Sequence, residues 1–254
     1  IARAASGKDK VAICGYHGWH DWYLSANIGS KKNLDTHLLP GLNPRGVPKG
    51  LQGTTLPFRY NNIEEFKNLV SNEEIGVVKM EVVRSEPPLP GYLEEIREIC
   101  TEKNIILIFD ECTSGFRETF GGIYKKFAVE PDMGMFGKAL GNGYAITAVV
   151  GKEEVMQYCQ ETFISSTFWT ERIGPTAALK TLEIMERKKS WENITRKGKL
   201  ISQRWINLGK KYGLELTLSG IPALINFTIK SKSWLKYKTL ITQEMLKKGY
   251  LAAN

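Results

Sequence analysis

Five uninterrupted apolar residues, Ile105-Ile106-Leu107-Ile108-Phe109, run directly into Asp110-Glu111, and no other feature of the chain restricts its fold as tightly. A run of that length without alternation is the pattern of a strand buried on both faces, as in the parallel sheet of an α/β domain. Asp110 then leaves the sheet at its carboxyl edge. After a segment long enough for the crossover that parallel strands require, Met133 to Phe136 forms a second apolar run. It stops just before Gly137-Lys138-Ala139-Leu140-Gly141-Asn142-Gly143. The spacing predicts an acid and an amine at neighbouring strand ends, on the edge where open α/β sheets bind ligands.

Glycines at 137, 141 and 143 allow close backbone approach to a ligand around Lys138. Partial desolvation there disfavours the ammonium, so a nucleophilic amine becomes accessible. A P-loop is excluded, because Ala139 rather than Ser or Thr follows the lysine and the glycines mostly come after it. A solvated loop lysine accounts for Lys138 alone, and a capping aspartate for Asp110 alone, but neither accounts for their spacing. The pair suits pyridoxal 5'-phosphate, whose aldehyde forms a Schiff base with a lysine while its pyridinium nitrogen faces an aspartate. A carboxylate beside that cation raises its pKa by about one to three units.

Four motifs in order, Tyr16-His17-Gly18, Leu107-Ile108-Phe109-Asp110-Glu111 leading to Gly115-Phe116-Arg117, Gly137-Lys138 and Thr167-Phe168, resemble the class III pyridoxal-phosphate aminotransferases. Within that class the likeness is to the glutamate-1-semialdehyde aminomutase branch, and it runs from about Val11 to about Leu182. The resemblance implies an α/β, fold type I large domain, with a mostly parallel central sheet in three αβα layers, and a truncated α+β C-terminal domain. It implies Lys138 as the catalytic residue carrying the internal aldimine, and Asp110 at the ring nitrogen. Tyr16 stacks on the ring, and Cys112 stands where the family usually presents Val, a small apolar thiol filling similar space. Thr167 corresponds to the threonine that holds the cofactor phosphate of the neighbouring subunit in a homodimer; an ordinary β-edge threonine is the competing reading. An aromatic loop packed on the core is the competing reading for Tyr16, and a core or hydrogen-bonding role for His17 and His20.

The chain also departs from the family. Val82 replaces the proline of the family's Glu-Pro after Glu81, a weaker candidate, and Thr170 to Pro175 replaces its Gly-Asn-Pro. The family's phosphate loop would precede Ile1. The chain therefore reads as an internal fragment, lacking the N-terminal segment and the end of the C-terminal domain, and expected by itself to bind cofactor poorly and turn over nothing. The implied reaction moves an amino group between small amino and carbonyl substrates. The alternatives are an intramolecular aminomutase and a catalytically inactive interaction protein on the same fold.

Composition narrows the classes further. With 42% apolar and 24% charged residues, the 254-residue chain can bury a core, and no apolar run approaches the roughly 18 residues of a membrane span. Cys14, Cys100, Cys112 and Cys159 lie far apart without a CxxC pair, which points to a reduced, cytoplasmic setting. No histidine has metal-ligand spacing to another His or Cys, so no metal is expected. The net charge of +8 gathers in short clusters such as Arg187-Lys188-Lys189 and Arg196-Lys197-Gly198-Lys199, interleaved with apolar positions at helical spacing. These are solvated helix faces, and no nucleic-acid module accompanies them.

Periodicity and punctuation set the remaining elements. Strands are expected at Val11 to Gly15, Val77 to Val83, Thr147 to Val150, Phe163 to Ser166, Leu214 to Leu218 and Leu224 to Ile229, and a Gly/Pro-rich loop at Leu39 to Pro57. Ile1 to Gly7 reads as the last turns of a helix, and Asn62-Ile63-Glu64-Glu65 as a capping box. Further helices are expected near Pro90 to Cys100, Pro175 to Lys189, Trp191 to Lys211 and up to Lys248. A domain boundary is expected near residue 187, giving a cofactor-binding large domain over 1–186 and a partial small domain over 187–254.

Overall fold

The computed structural model describes residues 1–37, 39–83 and 85–251, so the last three residues of the expected small domain lie outside the described residues. The chain divides into two compact units, one of residues 1–82 and 88–188, the other of 83–87 and 189–254.

The first unit is built on a six-stranded sheet in the order β2-β1-β3-β4-β5-β6. Its strands are β1 (Lys10–Cys14), β2 (Thr55–Pro57), β3 (Ile75–Met80), β4 (Ile106–Asp110), β5 (Met133–Phe136) and β6 (Ala148–Gly151). All neighbours run parallel except β5 and β6. Every residue of β3 and β4 is buried, as expected of central strands covered on both faces. β1 pairs with β2 on one side and β3 on the other, so the connections diverge at β1, and a crevice opens there at the carboxyl ends of the strands.

Helices α1 (Ala2–Ser6), α2 (Asp21–Leu24), α3 (Ile63–Asn72), α4 (Tyr92–Glu102), α5 (Glu153–Met156) and α6 (Ile173–Lys188) complete this unit. Because strand side chains alternate between faces, one face carries Val11, Ile13, Val77, Ile106, Ile108 and Met133, which pack with Ala2 of α1, Tyr23 of α2 and Val155 of α5. The other face carries Val78, Met80, Leu107 and Phe109; α4 packs against β4, and Ala178 of α6 packs on Phe136. The architecture is thus α/β in three layers. Asp132 ties β4 to β5 from below, accepting hydrogen bonds from Leu107 N (2.8 Å), Arg97 Nη1 (2.8 Å) and Lys152 Nζ (2.7 Å).

The second unit contains α7 (Ser190–Lys211), the antiparallel pair β7 (Leu216–Ser219) and β8 (Asn226–Ile229), and α8 (Trp234–Lys247). Trp205 of α7 meets Phe227 of β8 with ring centroids 4.8 Å apart.

Asn62 caps α3, its Oδ1 accepting from Glu65 N at 3.1 Å, the expected capping box. Three expectations fail. Phe163 to Ser166 forms no strand: its side chains are largely exposed, Phe163 by 97%, so β-propensity alone had no packing partner to realise it. The Leu39 to Pro57 loop ends in a strand, β2, because its last residues pair with Val11 to Ile13 at the sheet edge. β3 also stops at Met80, short of the expected Val83.

Candidate active site

The carboxyl ends of β1, β3, β4 and β5 converge on a cavity of about 360 Å³, whose lining includes Tyr16, Lys79, Asp110, Cys112, Thr113 and Lys138. That volume falls within the range of small-molecule sites. Four of the five residues singled out from the sequence, Tyr16, Asp110, Cys112 and Lys138, meet here. Thr167 does not; it lies in an exposed turn.

Each side chain is placed by the end of a strand. β1 runs into Gly15, whose φ of +117° suits glycine and at which an added Cβ would stand 2.5 Å from Glu81 Oε2. That close approach lets Glu81 accept a hydrogen bond from Tyr16 N at 3.1 Å, fixing the loop that carries Tyr16 and His17. Lys138 follows β5 with φ +43°, a left-handed conformation that costs a non-glycine residue energy and is typical of functional sites. Its Nζ donates to Thr113 Oγ1 at 2.7 Å.

Asp110 closes β4 and is buried. Its Oδ2 lies 3.0 Å from His17 Nδ1 and 3.1 Å from Lys79 Nζ, while Oδ1 accepts from Cys112 N at 3.2 Å. Burial alone would push this carboxyl up, but the His17 hydrogen bond and the Lys79 charge outweigh it and hold it well below the usual carboxylate range. His17 is fully enclosed, and burial moves its pKa down despite Asp110; facing a carboxylate, which can only accept, its Nδ1 is the nitrogen that donates. His17 Nε2 has no hydrogen-bond partner among the described residues. Burial, then the Asp110 charge, pushes the Cys112 thiol up to about 11; it is a packing group here, not a nucleophile. Next to Asp110, Glu111 is buried under Ser114 Oγ (2.5 Å) and Tyr124 N (3.1 Å), where it holds the loop beyond β4.

Sequence reasoning passed over Lys79 and Thr113. The signal for Lys79 was available: it is the one charge within the run Ile75 to Met80. Thr113 carried none, since only the fold brings it to Lys138.

The chain belongs to the aminotransferase class-III family, which matches residues 4–253. Among its relatives, the 3-aminobutyryl-CoA aminotransferase of Cloacimonas acidaminovorans is 35% identical over 96% of this chain and 57% of its own length. The glutamate-1-semialdehyde 2,1-aminomutase of Prosthecochloris aestuarii is 29% identical over 98% of this chain and 59% of its own length. The chain thus spans under three-fifths of these relatives. Among solved structures, the PLP internal aldimine form of the Sphingopyxis sp. MTA144 FumI protein superposes with a TM-score of 0.86 at 20% identity, covering 99% of this chain and 59% of that one. An omega-transaminase from Sphaerobacter thermophilus gives 0.84 at 21%, over 99% of this chain and 63% of that one. At that identity the likeness defines the fold alone, which this chain shares with both structures.

Proposed function

We propose that the protein to which this chain belongs transfers amino groups between small amino and carbonyl substrates with pyridoxal 5'-phosphate held in the cavity at the carboxyl ends of β1, β3, β4 and β5. The observation that carries this reading is the convergence of an accessible, strained lysine, Lys138, and a buried ionised aspartate, Asp110, on one cavity.

The residues fit that cofactor. Lys138 Nζ would bind its aldehyde carbon, Asp110 would face its ring nitrogen, and Tyr16 and Cys112 would hold the ring faces. The buried His17 Nε2 without a partner marks the same pocket as polar and built for a ligand. When bound, the cofactor supplies an electron sink for the substrate carbon that loses its proton. Lys138 Nζ is placed to take that proton and to return one as general base and acid, with Thr113 Oγ1 holding the amine in reserve. Residues 1–186 are read as the cofactor-binding domain and 187–254 as part of the small domain.

A homodimer is supported by the exposed apolar stretch that includes Phe163, Phe168 and Trp169, too large a display to be left in water without a partner. Thr167 sits inside that stretch, where it would reach the cofactor phosphate of the neighbouring subunit. The four cysteines are free thiols and no described helix is long and apolar enough to cross a membrane; a cytoplasmic enzyme accords with both.

Full-length holoprotein mixed with an amino donor and a keto acid should deliver the amino group to the acceptor, and Lys138→Ala should abolish transfer. Transfer that survives Lys138→Ala overturns the reading. The aminomutase relatives favour a second reading, movement of the amino group within one molecule. It requires an isomerised product that forms without any keto acid.

A further inference from the structure

Lys79 is the least expected residue of the site. It stands in the middle of the sheet, between Ile13 of β1 and Ile108 of β4 in register, in a strand whose every residue is buried. Its ammonium lies 3.1 Å from Asp110 Oδ2 and 5.5 Å from the centroid of the Trp22 ring. Among the described residues its ion-pair partner is Asp110, each side chain being only 9% exposed. It also separates two cavities, lining both the site of about 360 Å³ and a second, mostly apolar one of about 320 Å³ beneath it. Burying an ion pair costs desolvation that a well-packed apolar pair avoids, so such a pair is a poor device for stability alone. Its place in a cleft points to function.

The charges around Asp110 decide what that function is. β4 supplies Asp110 itself and the neutral Cys112 thiol; the loop after β1 supplies His17, neutral by burial, and Tyr16; β3 supplies Lys79 and, beyond its end, Glu81; the turn after β5 supplies Lys138, committed to the cofactor aldehyde. Asp110 and Lys79 together sum to zero. Lys79 sets a second cation against the carboxylate that would face a protonated ring nitrogen, whereas without Lys79 Asp110 would answer that nitrogen alone.

We propose that Lys79 is a positioning residue that sets the proton affinity of the cofactor ring nitrogen, holding it below the value Asp110 alone would confer by neutralising that carboxylate from within the sheet. This rests on the reading of the cavity as the pyridoxal phosphate site. A less cationic ring draws electrons less strongly, so proton transfer at the substrate carbon depends more heavily on Lys138.

The test is a titration of the resting full-length holoprotein, reconstituted with cofactor carrying ¹⁵N at the ring nitrogen and followed by NMR from about pH 6 to about pH 9. Lys79→Met, which keeps the length and removes the charge, should raise the midpoint of ring-nitrogen protonation by about one to three units. Lys79→Arg should stay near the wild type. Coincident midpoints in wild type and Lys79→Met overturn the proposal. So does a wild-type nitrogen that stays protonated to the top of the range, a result that decides the matter even if Lys79→Met does not fold. Borohydride reduction of the same samples separates the two layers of argument. Label on the Lys138 peptide with a failed titration removes the role of Lys79 alone, whereas no label at Lys138 removes the cofactor site and the proposal with it.

Discussion

Strands β3 and β4 turn Val78, Met80, Leu107 and Phe109 to one side of the sheet and Val77, Lys79, Ile108 and Asp110 to the other, so the same two stretches of backbone build an apolar interface and an ion pair between two cavities. On the first side α4 packs against β4, and Leu107 and Phe109 are completely buried. On the second, the strands are equally buried but part of what covers them is charge. The comparison teaches that burial by itself does not separate structural from chemical positions. The alternation of the strand does, because every second residue of β4 is committed to packing while its last residue, Asp110, faces the site.

Substitutions on the two sides should therefore fail in different ways. Phe109→Ala removes a buried ring from the apolar side and should cost about 3–5 kcal/mol in stability, read from denaturant unfolding. A loss under about 1 kcal/mol would mean that this face is not the tightly packed one. Asp110→Asn, one residue later, leaves the buried Lys79 without its ion-pair partner and so also costs stability, but its distinguishing effect should be on turnover, lowered about a hundredfold or more with cofactor retained, because an amide cannot hold a cationic ring nitrogen. Near-normal turnover would mean that another residue serves the nitrogen.

Acid should also act on the charged side. Burial depresses the folded-state pKa of His17, and the His17 hydrogen bond with the Lys79 charge depresses that of Asp110 against its burial. For both groups the unfolded chain binds more protons than the folded one, so stability rises with pH through their ranges. The His17 share is complete above its unfolded pKa of about 6.5, and the Asp110 share above about 3.9; each is lost as the pH falls below. Denaturation midpoints should fall between about pH 7.5 and about pH 5 in the wild type and fall less in His17→Gln. Equal slopes would remove His17 from the account. The smallest effect expected is that of Cys112→Val, a swap of similar volume that should cost under about 1.5 kcal/mol and preserve turnover.

What the sequence made legible follows the same division. The run Ile105 to Phe109 displayed its burial directly, and Asp110 and Lys138 could be placed at strand ends because a short run with a charged terminus has one arrangement in a parallel sheet. Tyr16 and Cys112 became legible only through the family resemblance, which assigns ring-packing positions to the residues that stand there. β2 stayed hidden, since three residues, Thr55 to Pro57, form a strand only by pairing with β1. Lys79 stayed hidden because a charge inside an apolar run looks like an interruption until its partner, thirty-one positions on in the numbering at Asp110, is seen beside it. Residues 83–87 join the second unit, a long-range association with no local signature.

The central claim is that Lys138 is the residue to which the cofactor is bound, and borohydride reduction of the full-length holoprotein followed by peptide mapping tests it most directly. The account predicts that the visible band bleaches and that the reduced cofactor mass is found on the peptide containing Lys138. Cofactor fixed to any other lysine, or released unattached after reduction, would contradict it.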